Sequence, residues 1–349
     1  MSKTRIKDIA RLARVSTGTV DRVIHQRGEV SEATRRKVEL IIKELDYQPD
    51  ILARNLASKH IWNFAVMMPE SVDAHGFWTF PLNGINRALE ELAHFNVQVS
   101  YFYFDQFKRD SFLELSENFL PSEFDGLLFA PVFQDEAARF IEKCQAAGLP
   151  IVLFNSIVEG SKVVSYVGQD PQQSGFLAGR MISYGLERGR DLVIVNLSAR
   201  EDNYGHIIRR ELGFRRFFEE HSDRVRNLVT IDMNGSRVDR LNRELNRCFK
   251  DLDIAGIFVT NSRVHLVGAY LADRGALSVR LIGYDLLPES LEYLEREYID
   301  FLISQKPGEQ AYRGLMTLFS STVLKKSVEP LQYLPIDLVT KENIIYYPK

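Results

Sequence analysis

The sequence predicts an α/β body of two lobes, each a parallel sheet with helices on both faces, behind a small N-terminal all-α domain. Three observations predict it. From Ile61 onward, apolar runs alternate with amphipathic segments: NFAVMM, VQVSYFYF, DGLLFAP, PIVLF, DLVIVNL, NLVTI, AGIFVT and VRLIGY. That βαβ alternation implies parallel strands covered by crossover helices. Eight such runs are too many for one small sheet, so they divide into two. The first sixty residues carry helical spacing only, and a chain of 349 residues has room for both parts.

Composition excludes several classes. Hydrophobic residues make up 45% and charged residues 26%, the balance of a globular protein. The opening MSKTRIKDIA has no apolar stretch of a secretory signal, and no run reaches the length of a membrane span, so a cytoplasmic protein that meets no membrane is expected. Cys144 and Cys248 stand far apart with no His-rich neighbourhood, which argues against a disulfide framework and against a zinc site. The net charge of -3 hides an asymmetry: residues 1–60 hold 13 basic against 8 acidic residues, a net of +5, and the remainder carries -8. A basic head on an acidic body suits contact with phosphates.

In the head, Ile6, Ile9, Ala10 and Ala13 recur at helical spacing. Arg14 and Val15 lead to a turn, after which Ser16 can cap a second helix with Val20, Val23 and Ile24 on its inner face. Thr17, Gly18, Asp21, Arg22 and His25 lie on its other faces. A third helix begins after Ser31, with Glu32 at its positive end, and buries Val38, Ile41, Ile42 and Leu45. Two short helices joined by a tight turn fit the helix-turn-helix pattern, and they fit a generic helical hairpin equally well.

The wording of the segment separates those readings. IKDIARLARVSTGTVDRVIHQRGEVSEATRRKVELIIKELDYQPDILARNLA closely resembles, without a gap, the N-terminal domain of the lactose and purine repressor family. The resemblance implies a helix-turn-helix DNA-binding domain over residues 1–48, with Thr4, Ser16, Thr17, Gly18, Thr19, Arg22 and His25 at operator DNA. Arg22 is the candidate for direct readout, since its planar fork can donate twice to guanine. Gly18 offers no side chain to a base. Asp21, where the family commonly has Ser, either turns to Arg22 or Arg27 or accepts from a cytosine amine.

Residues 49–60 form the expected hinge. Asp50 can cap ILARNLAS, a helix too short to be stable alone. The resemblance implies that it pairs with its twin in a homodimer on double-stranded operator DNA, with Ala53 allowing close approach, Asn55 beside the groove and Leu56 driven into a base step. Such a wedge costs about a few kcal/mol of unstacking and gains a bent duplex. The alternative is a linker helix whose leucines pack on the core.

The body resembles the periplasmic sugar-binding fold that this repressor family attaches to its head. The resemblance implies one lobe of residues 61–156 plus 306–328, a second of 157–305 plus 329–349, and an effector cleft at the carboxyl ends of the strands. Phe77 and Trp78 match an aromatic pair that flanks a sugar ring, or they pack in the core. Asn155 begins a pair, with Ser156, that departs from the acidic and basic pair of ribose-type binders. Asp170 matches a polar cleft position, or it caps the helix that starts at Pro171. Arg210 matches an arginine that grips hydroxyls or carboxylates. Asn261 matches the cleft asparagine, although Ser262 replaces the aspartate that usually follows it. Asp285 in LIGYD and Gln305 in ISQK complete the set. A neutral sugar and a sugar acid both fit these residues.

No nucleophile beside a base, metal cluster or glycine-rich phosphate loop stands out, so neither an enzyme nor a cofactor is expected. The expectation is a transcriptional repressor, homodimeric, whose operator affinity an effector controls. The alternative is a solute-binding protein with no role on DNA.

Overall fold

Computed as a structural model, the chain is described over residues 6–24, 27–45, 60–71, 76–198, 205–221, 225–234 and 238–347. Thr4, His25, Ala53, Asn55 and Leu56, with the rest of the expected hinge helix, lie outside those residues. The chain divides into two units, Met1–Ser58 and Lys59–Lys349.

Helix α1 (Ile6–Ala13), α2 (Thr17–Ile24) and α3 (Glu32–Glu44) make the head. Ile9, Ala10, Ala13, Val20, Val23 and Val38 are buried together, with Ile6, Ile24, Ile41, Ile42 and Leu45 packed around them. The apolar spacing thus places one stripe of each helix in a shared core. Arg14 turns the chain in the left-handed region at φ 57°. There the Val15 N–H donates to the Ala10 carbonyl (3.0 Å) and the Arg14 N–H to that of Arg11 (3.3 Å), which satisfies the open end of α1. Ser16 Oγ accepts from the Thr19 N–H at 3.1 Å and Ser31 Oγ from the Thr34 N–H at 3.4 Å, so both following helices are capped by the expected residues.

The body holds two six-stranded sheets. Strands β1 (Trp62–Pro69), β2 (Val97–Phe104), β3 (Gly126–Phe129), β4 (Ile151–Phe154), β5 (Ser165–Gly168) and β11 (Leu331–Tyr333) form the first, in the order β11-β5-β4-β3-β1-β2. Strands β6 (Arg190–Ser198), β7 (Val225–Asn234), β8 (Ile254–Val259), β9 (Arg280–Tyr284), β10 (Phe301–Ser304) and β12 (Asp337–Val339) form the second, in the order β12-β10-β9-β8-β6-β7. Among the described residues, only the edge pair of β10 with β12 runs antiparallel. In β6, Val193 and Val195 belong to one apolar cluster while Leu192 and Ile194 belong to another. Alternate side chains therefore enter cores on opposite faces, which is why the sequence there is a continuous apolar run.

Helices α4 (Thr79–Leu92), α5 (Arg109–Asn118) and α6 (Gln134–Ala146) serve the first sheet, as does α12 (Pro307–Thr322), which returns from the second lobe to pack on α4, β3, β4 and β5. Helices α7 (Pro171–Ser183), α8 (Gly205–Glu219), α9 (Val238–Asp251), α10 (Val264–Arg274) and α11 (Pro288–Glu295) follow in the second lobe. Glycine sets the closest approach between α7 and α8: a Cβ on Gly175 would lie 1.9 Å from the Arg210 carbonyl oxygen, and one on Gly213 would lie 1.9 Å from that of Gln172.

The lobe boundary differs from the expected one. β5 pairs with β4 and with β11, so the chain leaves the first sheet after Gly168 rather than at residue 156, and leaves it finally after Tyr333 rather than at 328. Strands of three or four residues are too short to show alternation, and so SYVG and LQY do not announce themselves. Three crossings result, around Gln169, Gln305 and Pro335. The buried Gln169 side chain ties them: its Nε2 donates to the Ser304 carbonyl at 2.8 Å and to the Pro335 carbonyl at 3.0 Å.

Candidate functional site

On α2 the buried face is Val20 and Val23, while Ser16, Thr17, Gly18, Asp21 and Arg22 are exposed and Thr19 is half-buried. The helix-turn-helix therefore presents Thr17, Gly18 and Arg22 on one free surface. Docking in a groove needs such a surface, because the core contacts are already spent on the opposite side.

In the body, a cavity of about 100 Å³ opens between the lobes, at the carboxyl ends of the strands. It is lined by Phe77, Trp78, Asn155, Arg210, Asn261 and Gln305, six of the eight cleft positions expected from sequence. Phe77 and Trp78 make an edge-to-face pair with ring centroids 5.0 Å apart. Trp78 is also buried, and its Nε1–H donates to Gln106 Oε1 at 3.1 Å, so it packs in the first lobe as well as bordering the cavity.

Asn155 ends β4 in the left-handed region, at φ 67°. Its N–H donates to Gln310 Oε1 of α12 at 2.9 Å, and Gln310 Nε2 donates in turn to the Gln305 carbonyl at 2.7 Å. The rim of the first lobe is thereby pinned to the second crossing. Across the cavity, α8 delivers Arg210 from the face where His206 stands one turn earlier. The Arg210 guanidinium stacks on the Tyr284 ring at 3.7 Å, and donates from Nη1 to the Thr260 carbonyl (2.7 Å) and from Nη2 to Gln305 Oε1. Asn261 donates from Nδ2 to the Leu197 carbonyl (2.5 Å) and accepts the Arg263 N–H (3.1 Å), which shapes the loop after β8.

Two of the expected residues are placed elsewhere. Asp170 does not line the cavity. Its carboxylate accepts the Gln173 N–H at 3.0 Å and caps α7, since an oxygen ahead of Pro171 meets free helix donors at close range. Asp285 stands one layer behind, accepting Gln305 Nε2 at 2.6 Å, and is 3% exposed. Burial pushes its carboxyl up to about 6, against the opposing effects of Arg210 and of the Gln305 hydrogen bonds. Asp285 thus orients Gln305, which in turn holds Arg210.

Among the further residues that line the cavity, the polar and aromatic Gln106, Phe107, His206 and Arg263 were not singled out from the sequence. Arg263 lies over the Phe107 ring at 4.9 Å, His206 Nδ1 shares a 3.2 Å hydrogen bond with Ser156, and Arg209 pairs with Glu159. Each of these contacts joins the two lobes. The His206 imidazole is held well below its usual range by burial and then by Arg210, so it is neutral near pH 7. A charged residue directly after Asn261 and Ser262 was the one local signal available. The others owe their place to distant chain segments. Among the described residues no cluster of His, Cys, Asp or Glu suits a metal ion, and no helix is long and apolar enough to cross a membrane.

Comparison with known proteins bears on both units. The family profile of the periplasmic binding protein domain matches residues 64–322, and that of bacterial regulatory proteins of the lacI family matches residues 5–50. The sucrose operon repressor of Lactococcus lactis is 23% identical over 96% of this chain and 98% of that protein. The HTH-type transcriptional regulator MalR of Streptococcus pneumoniae is 27% identical, but over 49% of this chain and only 51%, about half, of its own length. A crystal structure from Bacteroides fragilis, assigned as a LacI transcriptional regulator, superimposes with a TM-score of 0.76 at 28% identity, covering 83% of this chain and all of that one.

Proposed function

We propose that this chain, which belongs to the lacI family of bacterial regulatory proteins and carries a periplasmic binding protein domain as its body, is a sequence-specific DNA-binding repressor. It acts in the cytoplasm as a homodimer on operator DNA, and a sugar-like effector between the lobes controls it. The observation that carries this reading is the sidedness of α2: its apolar face is consumed by the head's core, while Thr17, Gly18 and Arg22 are left exposed. The cleft supports the second half, since an aromatic pair and a set of held polar groups converge on one cavity. In this reading Thr4, Ser16, Thr19 and His25 assist at the backbone and Leu56, with Ala53 and Asn55, enters the minor groove.

Selection from a randomised duplex library with the full chain tests it. The expected product is a pseudo-palindromic site whose retention falls steeply with salt. Arg22→Ala is expected to relax the preference at one base pair of each half-site, at a cost of about 1–3 kcal/mol. Failure to retain any duplex at low salt would leave a solute-binding protein instead.

A further inference from the structure

A buried amide that does not line the interlobe cavity holds two of its edges. Gln310, near the start of α12, is fully buried and stands outside the set of lining residues. Its Oε1 accepts the Asn155 N–H at 2.9 Å, and its Nε2 donates to the Gln305 carbonyl at 2.7 Å. Asn155 follows β4 of the first sheet and Gln305 follows β10 of the second, and both line the cavity. One side-chain group therefore joins the strand ends from which the two lobes present these residues.

Both partners stand at backbone that needs holding. Asn155 lies in the left-handed region at φ 67°, and the Gln305 carbonyl belongs to the peptide that leads into Lys306, at φ 54°. Residues other than glycine stay in that region only where their surroundings fix them. The preceding carbonyl, that of Ser304, is taken by Gln169 at 2.8 Å, so two consecutive carbonyls of this crossing end on buried glutamines.

The demand on position 310 is specific. Asn155 offers a donor and Gln305 an acceptor, and an amide meets both with one terminal group, whereas a carboxylate only accepts. From Gln305 the constraint passes into the cavity wall. Its side-chain Oε1 accepts from Arg210 Nη2, and its Nε2 donates to Asp285 at 2.6 Å. A shift of the Gln305 backbone would carry the Arg210 guanidinium off its seat on the Tyr284 ring.

We propose that Gln310 is a positioning residue for the effector. It sets the separation between the Asn155 edge of the first lobe and the Gln305 and Arg210 edge of the second, and so the lobe orientation that grips the ligand. The proposal rests on the cleft being the effector site, and it adds a residue outside the cleft on which affinity depends.

The test uses the full chain. Thermal unfolding with D-glucose, D-galactose, D-fructose, D-xylose, L-arabinose and D-glucuronate selects the sugar that raises Tm most, and calorimetry then gives its Kd. Lobe separation is read independently, as the spin-label distance between Glu142→Cys and Lys250→Cys. These are exposed positions on α6 and α9, labelled in a Cys248→Ser background and diluted with unlabelled chain. Gln310→Met removes both hydrogen bonds at similar size. It is expected to weaken Kd by roughly tenfold or more and to broaden the distance distribution. Gln310→Glu keeps the acceptor for Asn155, loses the donor to Gln305, and is expected to weaken binding likewise. Gln332→Met is the control, since Gln332 joins Ser165 and Thr317 at 3.0 Å each without lining the cavity. It is expected to lower Tm and leave Kd unchanged. A Kd or a distance distribution unchanged in Gln310→Met, an equal loss of affinity in Gln332→Met, or failure of both Gln310 variants to fold would each overturn the proposal, the last by assigning Gln310 to the fold alone. A wild-type Tm indifferent to every sugar strikes the effector reading instead, and the distances then decide the role of Gln310.

Discussion

The head and the body place their candidate site residues by opposite means. In the head, the exposed side of one eight-residue helix is the surface, and residues 16 to 22 supply it from a single continuous segment. In the body, the cavity draws on residues from Phe77 to Gln305, brought together by chain crossings between two sheets. A local surface depends on a small core staying folded. An assembled one depends on long-range packing and on buried polar ties.

The sharpest way to break that contrast is to empty the small core. Ile9 is fully buried in a cluster of six buried residues, so Ile9→Ala should cost about 2–5 kcal/mol, most of what so small a unit has. DNA retention should vanish while ligand-dependent stabilisation of the body survives. Loss of both in Ile9→Ala would show that the two units do not fold independently.

A pH titration sharpens the other side. The Asp285 carboxyl is raised from 3.8 to about 6 in the folded chain, so the native state holds that proton more tightly than the unfolded state between those values. The contribution of this group to stability is therefore greatest below about pH 4, declines as pH rises toward 6 and is flat above, with an upper limit of about 3 kcal/mol. Asp285→Asn should remove that slope. Urea midpoints of the two proteins across pH 4–7, compared as a difference, check it; parallel curves would mean that the carboxyl titrates as an exposed group does.

The smallest effect tests a cap. Ser31→Ala removes the acceptor for the Thr34 N–H and should cost the head about 1 kcal/mol, visible as a lower midpoint for head unfolding with the body's transition unmoved.

The same contrast explains what could be read from the chain without coordinates. Ser31, Val38 and the stripe through Val20 and Val23 are legible because cap and period act within one or two turns. In the body, long buried runs such as DLVIVNL show as strands, but β5, β11 and β12 have three or four residues each and give no period to detect. Asp170 looks the same whether it faces a ligand or a helix end, and the choice falls to geometry. His206 and Gln106 join the cavity through partners fifty and twenty-eight positions away, a distance over which spacing carries no signal.

Gln169 joins the three crossings through a single amide group. If one connector bent alone, it would pull its carbonyl off a buried nitrogen that has no water to turn to, so the strands are obliged to swivel as a set. A change in lobe orientation is therefore expected to move all three connectors together.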